Sequence, residues 1–346
     1  MLQVNLKTER IGLVFSTDWH LSAIPPGRRA DDYQTAILDK VAFVRDIAHK
    51  IGGVSICGAD VFHIKSAKHP ANSLSLLVAT LRLLRTFPTG MIYGSVGNHD
   101  LAQGERMDSL PSQPLGVLIA AGAYHDLTSE PVIFYNTPIT LPKTLDGPSA
   151  TYLGVQVESF PYDRAEGTLA RILASRRHPN AKYHVGIVHA YGGPGPSSTY
   201  FGEKSIGYDE VAKSDFDYLL WGHDHSREET VKVGNVTHIR LGSLARAALD
   251  TDQVDRPVCV SVLSFPEEGE VKVKEIPIPI KPLEQAFVVA DQAVRKVEKS
   301  EEMKQFFSKM DEAVDGVETS DPAEALRLLC PDDPSLLALA KELCGI

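Results

Sequence analysis

Five short stretches carry side chains able to bind metal, and each follows directly on an apolar run. Asp18-Trp19-His20 follows residues 11–15, Asp60 follows 53–57, and Asn98-His99-Asp100 follows 91–96. His189 follows 183–188, and His223-Asp224-His225 follows 216–221. Carboxylate, imidazole and amide oxygen together suit Mn²⁺, Fe²⁺, Zn²⁺ and similar ions. In Asp-x-His and His-x-His an extended loop would send both side chains to one side. A single histidine after a strand is more often structural, but five such stations in one order point to a metal cluster assembled at strand ends.

The elements that must position these residues alternate as they do in α/β proteins. Strands are expected at 11–15, 53–57, 91–96, 151–158, 183–188 and 216–221. Helices are expected at 31–50, with Ile37, Val41, Val44 and Ile47 on one face, at 73–85 and at 165–177. Residues 229–233 and 236–241 flank Gly234-Asn235, a good hairpin turn, and 258–265 and 270–276 flank a second turn. The second half therefore adds antiparallel strands. Three prolines between Ile276 and Pro282 end this pattern, so a boundary is placed near residue 280. The expected domains are 1–280 and an acidic helical region, 281–346, whose short amphipathic stretches read first as packing and second as a docking element.

Hydrophobic residues make up 43% of the 346 and charged residues 23%, which excludes a largely disordered chain. No apolar run approaches the length of a membrane span, and the first residues lack a signal core, so a cytoplasmic protein without a membrane partner is expected. The four cysteines, Cys57, Cys259, Cys330 and Cys344, form no close pair and read as buried, reduced thiols. The net charge of -10 argues at first against a polyanionic substrate. From Glu284 onward, however, there are 14 acidic and 7 basic residues, leaving 31 acidic and 28 basic before it. A nearly neutral catalytic region that gains charge with two divalent metals does not exclude DNA.

The five stations, in this order, resemble the D-x-H, G-D, G-N-H-D/E, H and G-H-x-H pattern of the calcineurin-like metallophosphoesterases, over about residues 10–265. The resemblance implies an α/β fold, a four-layer α-β-β-α sandwich of two mixed sheets. It implies one metal held by Asp18, His20, Asp60 and His225 and a second by Asp60, Asn98, His189 and His223. Asp60 would bridge them; Gly58-Ala59-Asp60 adds a methyl where the family usually has glycine. Paired cations would activate water and neutralise phosphoryl oxygens. By the same resemblance His99 would protonate the leaving oxygen, with Asp100 orienting its ring.

Within that family, Asp60-Val61-Phe62-His63 argues against a protein phosphatase and looks like the SbcD-type DNA repair exonuclease subunit, where the residue matching His63 helps handle the DNA end. Ser159-Phe160-Pro161-Tyr162 and the run from Phe216 to His225 resemble the same branch. Leu241-Gly242-Ser243-Leu244-Ala245-Arg246 resembles a turn that could offer donors to a phosphate, or is a plain turn. Residues 192–207 are expected to shape access to the site. The basic residues Arg28, Arg29, Lys65, Lys68, Arg176 and Arg177 are too scattered to make a patch. The resemblance thus implies a Mn-preferring DNA exonuclease, with single-strand endonuclease activity beside it and Fe, Zn or Mg as other metals. It also implies a homodimer formed through the helix at 73–85 and an SMC-like ATPase subunit on the C-terminal helices. The alternatives are a phosphodiesterase for small molecules or cyclic nucleotides, and a non-catalytic scaffold.

Overall fold

The computed structural model describes residues 1–6, 10–136, 154–163, 167–200, 203–247 and 256–287. Two mixed sheets lie face to face. The first has the order β17 (Lys272–Pro277), β16 (Cys259–Phe265), β2 (Ile11–Ser16), β3 (Val54–Cys57), β4 (Ile92–Gly94) and β5 (Tyr124–Asp126). β2 to β5 are parallel, while β16 runs antiparallel to both β2 and β17. The second has the order β1 (Leu2–Asn5), β6 (Val132–Tyr135), β7 (Gly154–Phe160), β8 (Tyr183–His189), β13 (Tyr218–Gly222), β15 (Val236–Arg240) and β14 (Val231–Val233). Two-residue strands β9 (Gly192–Gly193), β10 (Thr199–Tyr200), β11 (Glu203–Lys204) and β12 (Ile206–Gly207) make two small ribbons between β8 and β13.

Alternation along the strands builds the layers. Ile11, Leu13 and Phe15 of β2 face Val155, Val157, Val185, Ile187 and Leu220 of the other sheet and fill the space between them. Val14, one residue out of phase, points away from that core into another, formed with helix α1 (Tyr33–Ile51) and α2 (Leu74–Leu84). A third core covers the outer face of the second sheet, where Val188, Leu219 and Trp221 meet Ile172 of α4 (Thr168–Ala174) and Tyr208 and Val211 of α5 (Tyr208–Val211). The result is the expected four-layer α-β-β-α sandwich. Strands buried on both faces read as continuous apolar runs, which is why β2, β3 and β8 stood out in the sequence.

α1 shows how local chemistry fixes an element's ends. The Asp32 side chain accepts from the Thr35 amide at 3.1 Å, and Gly52 closes the helix at φ 61° with its N–H on the last carbonyls. Its apolar face, Ile37, Val41, Val44 and Ile47, is buried as the period predicts. Gly234 at φ 59° turns β14 into β15, with Val233 opposite Val236.

Some elements escaped the sequence. Strands β1, β5 and β6, and helix α3 (Pro114–Ala120), were not expected. They are short, and β1 is held by a parallel pairing with β6, whose residues lie far along the chain. The expected starts at 151 and 165 fall on residues outside those described, as do the acidic helices beyond 287. The short helix Leu283–Ala286 lies inside the described part. Among the described residues no helix is long and apolar enough to cross a membrane. Cys57 and Cys259 are free and buried; the other two cysteines lie outside the described residues.

Ile187 is fully buried at the centre of β8, between the two sheets. Ile187→Ala should cost about 2–5 kcal/mol through lost transfer energy and an unfilled cavity. The midpoint of urea unfolding reads this directly, and an unmoved midpoint would place that residue outside a packed core.

Candidate metal centre

The C-terminal ends of β2, β3, β4, β8 and β13 meet at one edge of the sandwich, and every station sits there. Three groups of potential ligands result, each with ligand atoms within 4.8 Å of one another: Asp18, His20, Asp60 and His225; Asp60, His189 and His223; and His20, His63 and His99. Asp60 belongs to the first two. Its Oδ2 lies 3.8 Å from His20 Nε2 and 3.4 Å from His189 Nε2. Asn98 Oδ1 lies 3.4 Å from the same His189 nitrogen, and His225 Nε2 is 3.9 Å from Asp18 Oδ1 and 2.9 Å from His20 Nε2. All seven residues read as ligands from the sequence are therefore brought together.

Two carboxylates and several imidazoles aimed at one another at these distances are a poor arrangement for side chains alone and a good one for divalent cations. His189 Nδ1 donates to the Gly58 carbonyl at 3.0 Å, which leaves Nε2 as its coordinating nitrogen. Burial lowers the pKa of His189, but the adjacent Asp60 charge outweighs it and raises the imidazole to about 9. Burial, and then the neighbouring His225, push His20 well down. A cation would compete with a proton for His189 and meet an already neutral ring at His20.

The loops are not the extended segments that the Asp-x-His spacing suggested. Asp18 (φ 52°), His20 (φ 47°), Ala59 (φ 106°), Asp60 (φ 48°) and His223 (φ 83°) all adopt left-handed backbone. This curls each loop so that alternate side chains converge at the sheet edge, at a cost of order 1–3 kcal/mol for each such residue. Trp19 anchors the first curl: its indole is buried in the core beneath α1 and donates to Ser16 Oγ at 2.9 Å. Ala59 occupies a conformation best suited to glycine, so the extra methyl seen in the sequence is strained as well as buried.

His99 and His63 lie beside this cluster. Their rings are near parallel, with centroids 5.8 Å apart, and His63 Nδ1 is 3.5 Å from His20 Nδ1. Burial, and then the charge on His99, push His63 down to about 4. Asp100 does not orient the His99 ring as the resemblance implied. His99 Nδ1 bonds the His63 carbonyl instead, while Asp100 accepts from the amides of Val61 (2.9 Å), Phe62 (3.2 Å) and Gly97 (3.1 Å). Asp100 thus ties the Asp60 loop to the Asn98 loop, and the short 3₁₀ turn Asn98–Asp100 leaves its carboxylate no reach to the neighbouring ring.

The turn 241–246 also differs from a phosphate cradle. Its amides are already used: Ser243 N on His225 O (3.2 Å), Leu244 N on Thr17 O (2.9 Å) and Ala245 N on Asp18 O (3.3 Å). Conversely, three residues near His223 gave no separate signal. Glu203 Oε2 is 3.2 Å from His223 Nε2, Tyr162 donates to Glu203 Oε1 at 2.8 Å, and the Tyr191 ring lies 4.4 Å from that of His223. Tyr162 belonged to a recognised turn and Glu203 to the segment expected to shape access, but only folding puts them on one histidine. Tyr191, Asp224 and Arg240 line a neighbouring cavity of about 290 Å³.

No family model matches the chain, and no curated protein matches it. Among solved structures it is similar to a 5'-nucleotidase precursor from Thermus thermophilus, at 12% identity and a TM-score of 0.43, over 86% of this chain and 60% of that one. It is similar also to the NAD nucleotidase of Haemophilus influenzae, at 14% identity and a TM-score of 0.40, over 78% of this chain and 50% of that one. The chain thus spans less than two thirds of the length of either.

Gly97 lets the two central loops touch. A Cβ there would fall 2.0 Å from Asp60 Oδ1 and 2.8 Å from Asp60 N, so Gly97→Ala must displace the shared carboxylate. Calorimetric titration with Mn²⁺ should show affinity reduced by about 10- to 100-fold, as when support for a ligand is removed. Wild-type affinity in that variant would show that Asp60 is not the shared ligand.

Proposed function

We propose that the chain is a two-metal phosphoesterase, and that its substrate is DNA, hydrolysed as an exonuclease with single-strand endonuclease activity beside it. The observation that carries the phosphoesterase reading is the pair of ligand sets sharing Asp60, with His99 at its side. In this reading Asp18, His20, Asp60 and His225 hold one cation and Asp60, Asn98, His189 and His223 the other. Bound there, a pair of divalent ions, Mn²⁺ in the preferred case, supplies charge for the phosphoryl oxygens and a nucleophile at neutral pH.

The chain's own residues supply the rest. With Nδ1 committed to the His63 carbonyl, His99 has Nε2 left to carry a proton to the leaving oxygen. His63, stacked along that ring, narrows the approach and serves the end of the substrate. Glu203 and Tyr162 brace His223 from the opposite side. The DNA assignment rests on the Asp60-to-His63 segment and its neighbours in sequence.

Two features of the structure bear on substrate choice. Arg29, Lys65 and Arg177 are ion-paired with Asp31, Glu105 and Asp217, so these cations are largely spent within the fold. The cavity beside His223 is polar and of a size for a small leaving group, which favours the second reading, a phosphodiesterase for small molecules or cyclic nucleotides. On the partner side, α2 exposes Leu74 (75%) and Val78 (38%), one turn apart, in keeping with a homodimer through that helix. An SMC-like ATPase subunit remains the proposed second partner.

The deciding experiment is hydrolysis with Mn²⁺ of an end-labelled DNA duplex beside a generic phosphodiester and cyclic AMP. Stepwise shortening of the duplex is expected, falling by about a hundredfold or more in His99→Ala. Cleavage of the small esters with DNA left intact would replace the nuclease by the second reading. Metal uptake with no ester hydrolysed would leave a scaffold. In light scattering at micromolar concentration the wild type should be dimeric and Leu74→Glu monomeric; a monomeric wild type would remove the dimer.

A further inference from the structure

On the helix side of the first sheet, the turn 241–246 is gripped by cations. While its amides face the metal loops, its carbonyls point the other way: Leu244 O accepts from Lys40 Nζ at 2.7 Å and Arg246 O from Arg29 Nη1 at 2.8 Å. Ser243 O and Leu241 O accept from Arg256 at 2.6 and 3.2 Å. Arg29 is balanced by Asp31 at 2.9 and 2.8 Å, and Lys281 reaches the same carboxylate at 3.3 Å. Lys40 is different. It is only 7% exposed, and among the described residues it makes no ion pair. An ammonium has three donors, and one carbonyl uses one of them.

A cavity of about 250 Å³ lies against Lys40, with Arg29 and Arg246 in the same wall and Phe43, Ile278 and Ala286 as apolar surface. Asp39, the carboxylate in its lining, sits on an exposed position of α1. Burial first, and then the charges of Arg29, Arg246 and Arg256, push Lys40 down to about 7, with Asp31 acting the other way. A buried, under-compensated ammonium beside an open, largely apolar space calls for an anion to complete it.

We propose that this cavity binds a small organic oxyanion, a carboxylate or phosphonate-type group on an apolar body. The anionic group sits on Lys40, and the body lies against Phe43 and Ile278. The site is separate from the metal cluster and independent of the reaction assigned to it.

Benzoate and phenylphosphonate are suitable probes, titrated calorimetrically into the metal-loaded protein, with acetate as the probe lacking a body. Saturable one-to-one binding of an aromatic probe, tighter than acetate, is expected. Lys40→Met should weaken it by about tenfold or more, the loss of one charge-assisted hydrogen bond. Asp39→Asn, a change at an exposed position, should tighten it by removing a like charge. Removing the metal with a chelator should leave it unaltered. Absence of saturable binding by the wild type overturns the proposal. So does equal affinity in a folded Lys40→Met, or binding lost on chelation, which would place the probe on the metal cluster. Should Lys40→Met fail to fold, an affinity unmoved by Asp39→Asn overturns it alone.

Discussion

The architecture of the site depends on a single buried carboxylate. Asp60 lies between His20 and His189, within 3.8 and 3.4 Å, and its other oxygen accepts from the His99 amide at 2.9 Å. Such a group is costly to desolvate unless its charge is met on several sides. Two parallel strands, β3 and β4, carry it and His99 to one edge, and Gly97 must lack a side chain so that the two loops can close around it. The left-handed backbone at Ala59 and Asp60, and the three amides on Asp100, follow from the same need to hold that carboxylate in one place.

The sandwich makes this arrangement rigid. β2 and β3 are buried on both faces, and Trp19 extends the anchorage from the strand end into the loop. The candidate ligands just past these strand ends are thereby held close to the sheets. The residues that leave this frame, Glu203 and Tyr191, sit on the irregular segment after β8, and they close around His223, whose own loop is the last to join the cluster.

Much of this was legible beforehand, for a physical reason. Strands covered on both sides show as unbroken apolar runs, and polar residues left at the ends of such runs stand out, so Asp18, His20, Asp60, Asn98, His189, His223 and His225, which the fold brings together, could be picked out as candidate ligands. Contacts made across the fold did not. Nothing near Glu203 signals its approach to His223, and Asp100 sits beside His99 in sequence while its oxygens serve Val61 and Phe62. The turn at Ser243 carries residues suited to an anion, but its amides were already claimed by Thr17, Asp18 and His225. Strand β1 is four residues long and depends on β6, so it has no local signal to read.

β2 is flanked by β3, the next strand in the chain, and by β16, which lies at the far end of the described sequence. The carbonyls of Thr17 and Asp18 are likewise met by amides of Leu244 and Ala245. During synthesis the emerging chain can pair β2 with β3 and pack α1 early, yet the backbone edge of β2 that takes β16 stays open until more than two hundred further residues have been made. An open edge of this kind is a surface for mispairing. The loop after β2, which is met by residues from the far end of the described sequence, is thus completed only after the turn 241–246 and β16 have been made.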